Sequence, residues 1–147
     1  MNNSSTAVPF AKAFLTALFS GIIATMFCFV FELWYRKVTF YGPSDFINVS
    51  SIIFIVNLLL LLAGVVYYFF KTWFIKADLL FVLFFLLVIF FCIWKTSGIE
   101  RFTDLKLNRE FIQLLSGIII ITGIAVLLVP YFYNNRRINE FFYEAAV

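Results

Sequence analysis

An all-α integral membrane bundle of four transmembrane helices is the fold predicted for this chain, on three observations. Four blocks are long and continuously apolar, aromatic and basic residues mark their ends, and short polar stretches connect them. Of 147 residues, 64% are hydrophobic and 13% charged, with a mean hydropathy of +1.03. Soluble chains average about 45–50% apolar and about 25% charged. A soluble domain of this length exposes too much of its chain to hide such a surface. The 22 phenylalanines suit lipid-facing helices, but genomic base composition raises Phe as well, so they decide little.

A hydrocarbon core about 30 Å thick needs about 20 helical residues. Residues 10–35 supply the first span, closing on Trp34-Tyr35-Arg36-Lys37 where rings and cations meet headgroups. Its length, and its exit through FELWYRK, read as a retained span and not a cleaved signal peptide. Gly42-Pro43-Ser44-Asp45 reads as a turn and cap before the second span, 51–70, which closes through Tyr67-Tyr68, Lys71 and Trp73. A tight link at 71–76 leads into the third span, 77–95, closed by Trp94-Lys95. A charged loop at 96–110, with Asn108 as expected cap, precedes the fourth span, 111–133. That span ends at Tyr131–Tyr133 before Arg136-Arg137, with Pro130 near its end where neighbours tolerate a kink. Residues 134–147 read as a short interfacial tail. Together, 1–147 form a single membrane domain. Barrel strands alternate, and these blocks do not.

Helical spacing then orders the packing. Ala13, Ala17, Gly21, Thr25, Cys28 and Glu32 share one face of the first span. Ser50, Asn57, Gly64 and Lys71 recur every seventh residue in the second; Gln113, Ser116, Gly123 and Pro130, with Gly117 beside them, stripe the fourth. Small residues let backbones approach, and hydroxyls and amides bond across helices. LLFVLFFLLVIFF in the third span carries no such stripe. Spans one, two and four are therefore expected to form the tight core, with span three peripheral.

If these stripes face each other, Glu32, Asn57, Gln113 and Ser116 form a polar cleft opening towards loops one and three, with Arg36 as charge partner of Glu32 at i,i+4. An ionisable residue in a bundle interior marks a ligand or proton site by default; a carboxylate paired with arginine at a membrane edge simply reaches water. Asn57, Gln113 and Ser116 have an equally plain role as interhelical hydrogen-bonding residues. The other half of the bundle reads as mainly apolar, with Thr16, Ser20 and Thr122 as exceptions.

Several classes are unsupported. The absence of histidine removes His-based acid–base chemistry and His-ligated haem or zinc. Cys28 and Cys92 lie within apolar blocks without CxxC spacing, so no disulfide framework, metal or cofactor is expected. No nucleophile–base pair, paired carboxylates or phosphate-binding glycine loop is present, so no enzyme is expected. Glu100 and Asp104 are interleaved with basic residues in a self-neutralising loop. The net charge of +3 lies at membrane edges, not on a clustered nucleic-acid face. The Asn48-Val49-Ser50 sequon abuts the membrane and carries no weight.

With four spans, an acid in the first and many aromatics, the chain resembles the small multidrug exporters in architecture. That resemblance implies a homodimer and a glutamate exchanging protons with a cationic substrate; Glu32 departs from it by lying near its helix end beside Arg36. The expected role is structural or accessory, packing in the lipid bilayer with a larger membrane protein or a second copy. The alternative is a small transporter, or a lipid or small-molecule binder using the cleft around Glu32. The expected setting is a bacterial inner membrane with both termini on one side, taken as cytoplasmic. Counting Lys and Arg gives Lys12, Lys71, Lys76, Arg136 and Arg137 against Arg36, Lys37, Lys95, Arg101, Lys106 and Arg109, which leaves orientation open.

Overall fold

The computed structural model describes residues 4–40, 42, 47–100 and 102–135, with side chains from Phe10 onwards. It is all-helical, without strands among the described residues: α1 (Ser4–Thr39), α2 (Val49–Trp73), α3 (Ala77–Ser97) and α4 (Leu105–Asn134). Each is long and apolar enough to cross a membrane, and the protein is an integral membrane helical bundle. The helices overrun the apolar blocks because helical hydrogen bonding continues into polar turns that hydropathy does not register.

The ends show how. α1 stops where Phe40 takes a left-handed conformation, φ 56°, which breaks the helical repeat. Asn48 caps α2 in a reciprocal box: its side chain accepts from the Ser51 backbone N–H at 2.9 Å, while Ser51 Oγ accepts from the Asn48 N–H at 3.0 Å. Residues 43–46 and the tail 136–147, including the anticipated Pro43-Ser44-Asp45 turn and Arg136-Arg137, lie outside the described residues. The expectation for α4 needs correction. Asp104, not Asn108, caps it, accepting from the Lys106 N–H at 2.8 Å. Asn108 lies inside the helix and fastens the preceding loop instead, donating to the Ile99 carbonyl at 2.9 Å.

α1 is the hub, packed most extensively on α2 and α4. All six small or polar stripe residues from Ala13 to Glu32 are buried. Glycine makes these approaches feasible. A Cβ on Gly64 would stand 2.5 Å from Ala17 Cβ and 3.0 Å from the Ala13 carbonyl oxygen. On α4, Gly117 makes room for the Phe31 ring of α1 and Gly123 for Ile89 of α3. Ser20 of α1 donates to the Ala125 carbonyl at 2.9 Å, near the point where buried Pro130 removes the N–H that would serve Val126.

α3 sits on the far side, against α4 and more lightly against α2. Its buried residues are Ala77, Phe81 and Thr96, so most of its surface faces outward. α2 and α3 are joined at their linked ends by rings: Phe81 meets Tyr67 edge-on at 5.1 Å and Phe70 at 6.1 Å. Towards loops one and three they diverge over the face of α4.

Candidate functional site

Among the described residues, the four polar side chains singled out by spacing fall in separate places: Glu32 with Arg36, Asn57 with Thr25, and Gln113 with Tyr35. Glu32 is 6% exposed, because it ends the α1 stripe. Its Oε1 accepts from Arg36 Nε at 3.0 Å and lies 2.9 Å from Nη2. The same guanidinium donates to the carbonyls of Gly42 at 2.5 Å and Ile47 at 2.7 Å. One arginine therefore neutralises a buried carboxylate and clasps the loop between α1 and α2. A buried carboxylate is tolerable only with such a partner.

Asn57 lies deeper, between α2 and α1. Its Nδ2 donates to Thr25 Oγ1 at 2.9 Å and to the Ile53 carbonyl at 2.8 Å, and the Thr25 hydroxyl donates onward to the Gly21 carbonyl at 2.8 Å. Gln113 works at the α1–α4 seam. Its Oε1 accepts from the Tyr35 hydroxyl at 2.9 Å, with the Glu110 carbonyl 3.1 Å from that same hydroxyl. Ser116 is half-buried one turn on. Cys28 Sγ lies 3.9 Å from Thr122 Oγ1. The bonds of Asn57 to Thr25 and of Tyr35 to Gln113 each join one helix pair. They fix register, and none presents a reactive group to a common space.

A second polar cluster, at the end carrying the α2–α3 link, was not read from the sequence. Asp78 Oδ1 accepts from the fully buried Tyr67 hydroxyl at 2.7 Å and from Lys71 at 3.3 Å, while its Oδ2 accepts from Asn134 Nδ2 at 3.0 Å. Lys12 Nζ stands over the Tyr133 ring at 4.2 Å, and Lys71 Nζ lies 6.0 Å from the same ring. All four helices contribute. Each residue alone looks like an interfacial marker. The available signal was Asp78, an acid in the first turn of α3 facing Lys71 across a short link.

The third feature is a cavity of about 450 Å³ between α2, α3 and α4. Its walls are aliphatic and aromatic, with Ser51, Cys92 and Thr122 as the polar exceptions. None of Glu32, Asn57, Gln113 and Ser116 lines it. Among the described residues, no group of three or more Cys, Asp or Glu side chains is placed to hold a metal ion. Comparison with protein-family models, with curated proteins and with solved structures finds no match.

Proposed function

We propose that this chain is a structural or accessory component of a membrane assembly, not an enzyme, whose helices pack with those of a larger membrane protein or a second copy. The observation that carries this reading is α3. It is the most apolar helix and the least buried, with 11% of its most apolar stretch covered against 39% for α1. Leu83, Leu87, Phe90, Phe91 and Trp94 face outward along it. Meanwhile Glu32, Asn57 and Gln113, which a carrier would turn to substrate, are engaged in internal bonds. Burial of Glu32 favours transport in principle, but its pairing with Arg36 opposes proton exchange.

The proposed setting is a bacterial cytoplasmic membrane. The proposal puts the start of α1 and the end of α4 on the cytoplasmic face; the contact of Lys12 with the Tyr133 ring supports a shared side.

A photocrosslinking residue at position 87, where Leu87 is 71% exposed, tests the reading in native membranes. A protein adduct is expected at 87 and none at 33, the outward Leu33 of α1. Lipid adducts alone at both positions, or substrate flux abolished by Glu32→Gln, would overturn it.

A further inference from the structure

The cavity between α2, α3 and α4 has the shape and chemistry of a site for one lipid chain. At about 1.5 Å per helical residue it runs about 12 Å along α2, from Ser51 to Leu59, and about 22 Å along α4, from Phe111 to Val126. One leaflet of hydrocarbon is about 15 Å deep. The groove therefore begins near the surface of loops one and three, fills most of that leaflet along α2 and passes the midplane along α4. Its far end on α3 is Phe85, whose ring meets Phe81 at 4.6 Å, one turn nearer the linked ends of α2 and α3. Ile55 and Leu59 of α2 and Val88 of α3 are at once lining and exposed, so the groove has a side open to the bilayer.

We infer that the groove binds one acyl chain of a glycerophospholipid from the leaflet on the side of loops one and three. Water is a poor occupant, because Ser51, Cys92 and Thr122 are spread over three helices and Ser51 is already committed to its capping box. An empty groove forfeits the dispersion contacts of every wall atom. A partner's spanning helix needs about 20 residues, about 30 Å, to cross the core, which is longer than the groove along any of its walls. A flexible chain that enters sideways through the open wall fits a groove of this length. Ile47 connects the site to the charged clasp: its side chain lines the groove and its carbonyl accepts from Arg36. The guanidinium is already engaged with Glu32 and with the Gly42 and Ile47 carbonyls, so the apolar walls alone select the chain. This holds whether or not α3 meets a protein partner.

The full chain, extracted in dodecyl maltoside and washed, is examined by native mass spectrometry for retained phospholipid. One lipid per chain is expected, lost in Ile55→Trp and Ile119→Trp, which fill the groove, and kept in Leu87→Trp on the outer face. Cys92 gives a second readout without mutation, since it lines the groove whereas Cys28 is fully buried. Dioleoylphosphatidylglycerol titrated into the micelles slows N-ethylmaleimide labelling of Cys92 by about tenfold once free lipid is about ten times its Kd, as 1 + [L]/Kd requires of a blocked site. Unchanged Cys92 labelling with no retained lipid overturns the inference. So does equal lipid retention in the filled variants, or a protein adduct formed at Cys92 in native membranes.

Discussion

α1 and α3 lie on opposite sides of the bundle and reverse the rule that governs soluble cores. Ranked by the hydropathy of their most apolar stretches, α1 comes lowest at 2.2 and α3 highest at 2.8, yet α1 is the most buried and α3 the least. α4 and α2 fall between, in the same inverse order. Lipid is as apolar as leucine, so burying apolar area against a neighbour gains little. Close approach and interhelical hydrogen bonds decide instead. α1 has both, in Ala13, Ala17, Gly21 and Thr25; α3 offers Leu, Phe and Ile, which lipid solvates equally well.

The sharpest way to break this contrast is to overpack each seam. Gly64→Val at the α1–α2 seam drives a side chain into Ala17 and the Ala13 backbone. Neither can yield, so a loss of about 3 kcal/mol is expected, at the upper end for overpacking. Gly123→Val meets first the Ile89 side chain, with Cδ1 2.7 Å from the new Cβ, a flexible end that can turn aside. About 1 kcal/mol is expected there. Unfolding equilibria by steric trapping in bicelles compare the two directly. Equal losses would mean that α3 is as firmly seated as α1.

The charged clasp of α1 comes next. Arg36→Leu leaves Glu32 buried without its cation and should cost about 2 kcal/mol, within the range for hydrogen bonds to charged groups. Glu32→Gln should cost less, because Arg36 is the more exposed partner at 19% and keeps its two backbone carbonyls. The double variant Glu32→Gln, Arg36→Leu should be more stable than Arg36→Leu alone, since no buried charge remains. Additive losses in the same unfolding assay would show that the two residues act separately.

The α1 stripe was legible because small residues at steps of three and four have one geometric meaning in a bilayer. The α2 stripe was legible only in its middle. Asn57 and Gly64 reach α1, whereas Ser50 and Lys71 lie in exposed end turns, beyond the stretch where a seven-residue step keeps them on the seam. Asn108 misled because a cap depends on where the helix starts, and Asp104 supplied an equally good oxygen one turn earlier. The Asp78 cluster draws on residues from Lys12 to Asn134, so no local pattern announces it. The groove was hidden for a different reason: it is a space that three helices fail to fill, and no residue type encodes that.

The deep hydrogen bond between α1 and α2 is weaker than the clasp. Asn57→Leu removes the bond to Thr25 and, by the measured range for interhelical bonds in membranes, should cost about 0.6 kcal/mol and at most about 2. A double-mutant cycle with Thr25→Val isolates the pair. A coupling near zero would mean that the Ile53 carbonyl, which Asn57 also serves, already satisfies the amide.

The smallest single effect, that of Lys71→Ala, belongs to the α3 end and completes the contrast. Lys71 and Asp78 form an ion pair at 3.3 Å with side chains 41% and 44% exposed. Lys71→Ala should therefore change stability by about 0.5 kcal/mol or less, because water and Asn134 continue to serve the carboxylate. Asp78→Ala removes the acceptor of the fully buried Tyr67 hydroxyl and should cost more, about 1 kcal/mol, for an unsatisfied donor. Tyr67→Phe combined with Asp78→Ala should then recover most of that loss. If Lys71→Ala instead matched Arg36→Leu, the two ends of the bundle would be clasped alike. The ranking of α1 over α3 would then rest on the glycine seams alone.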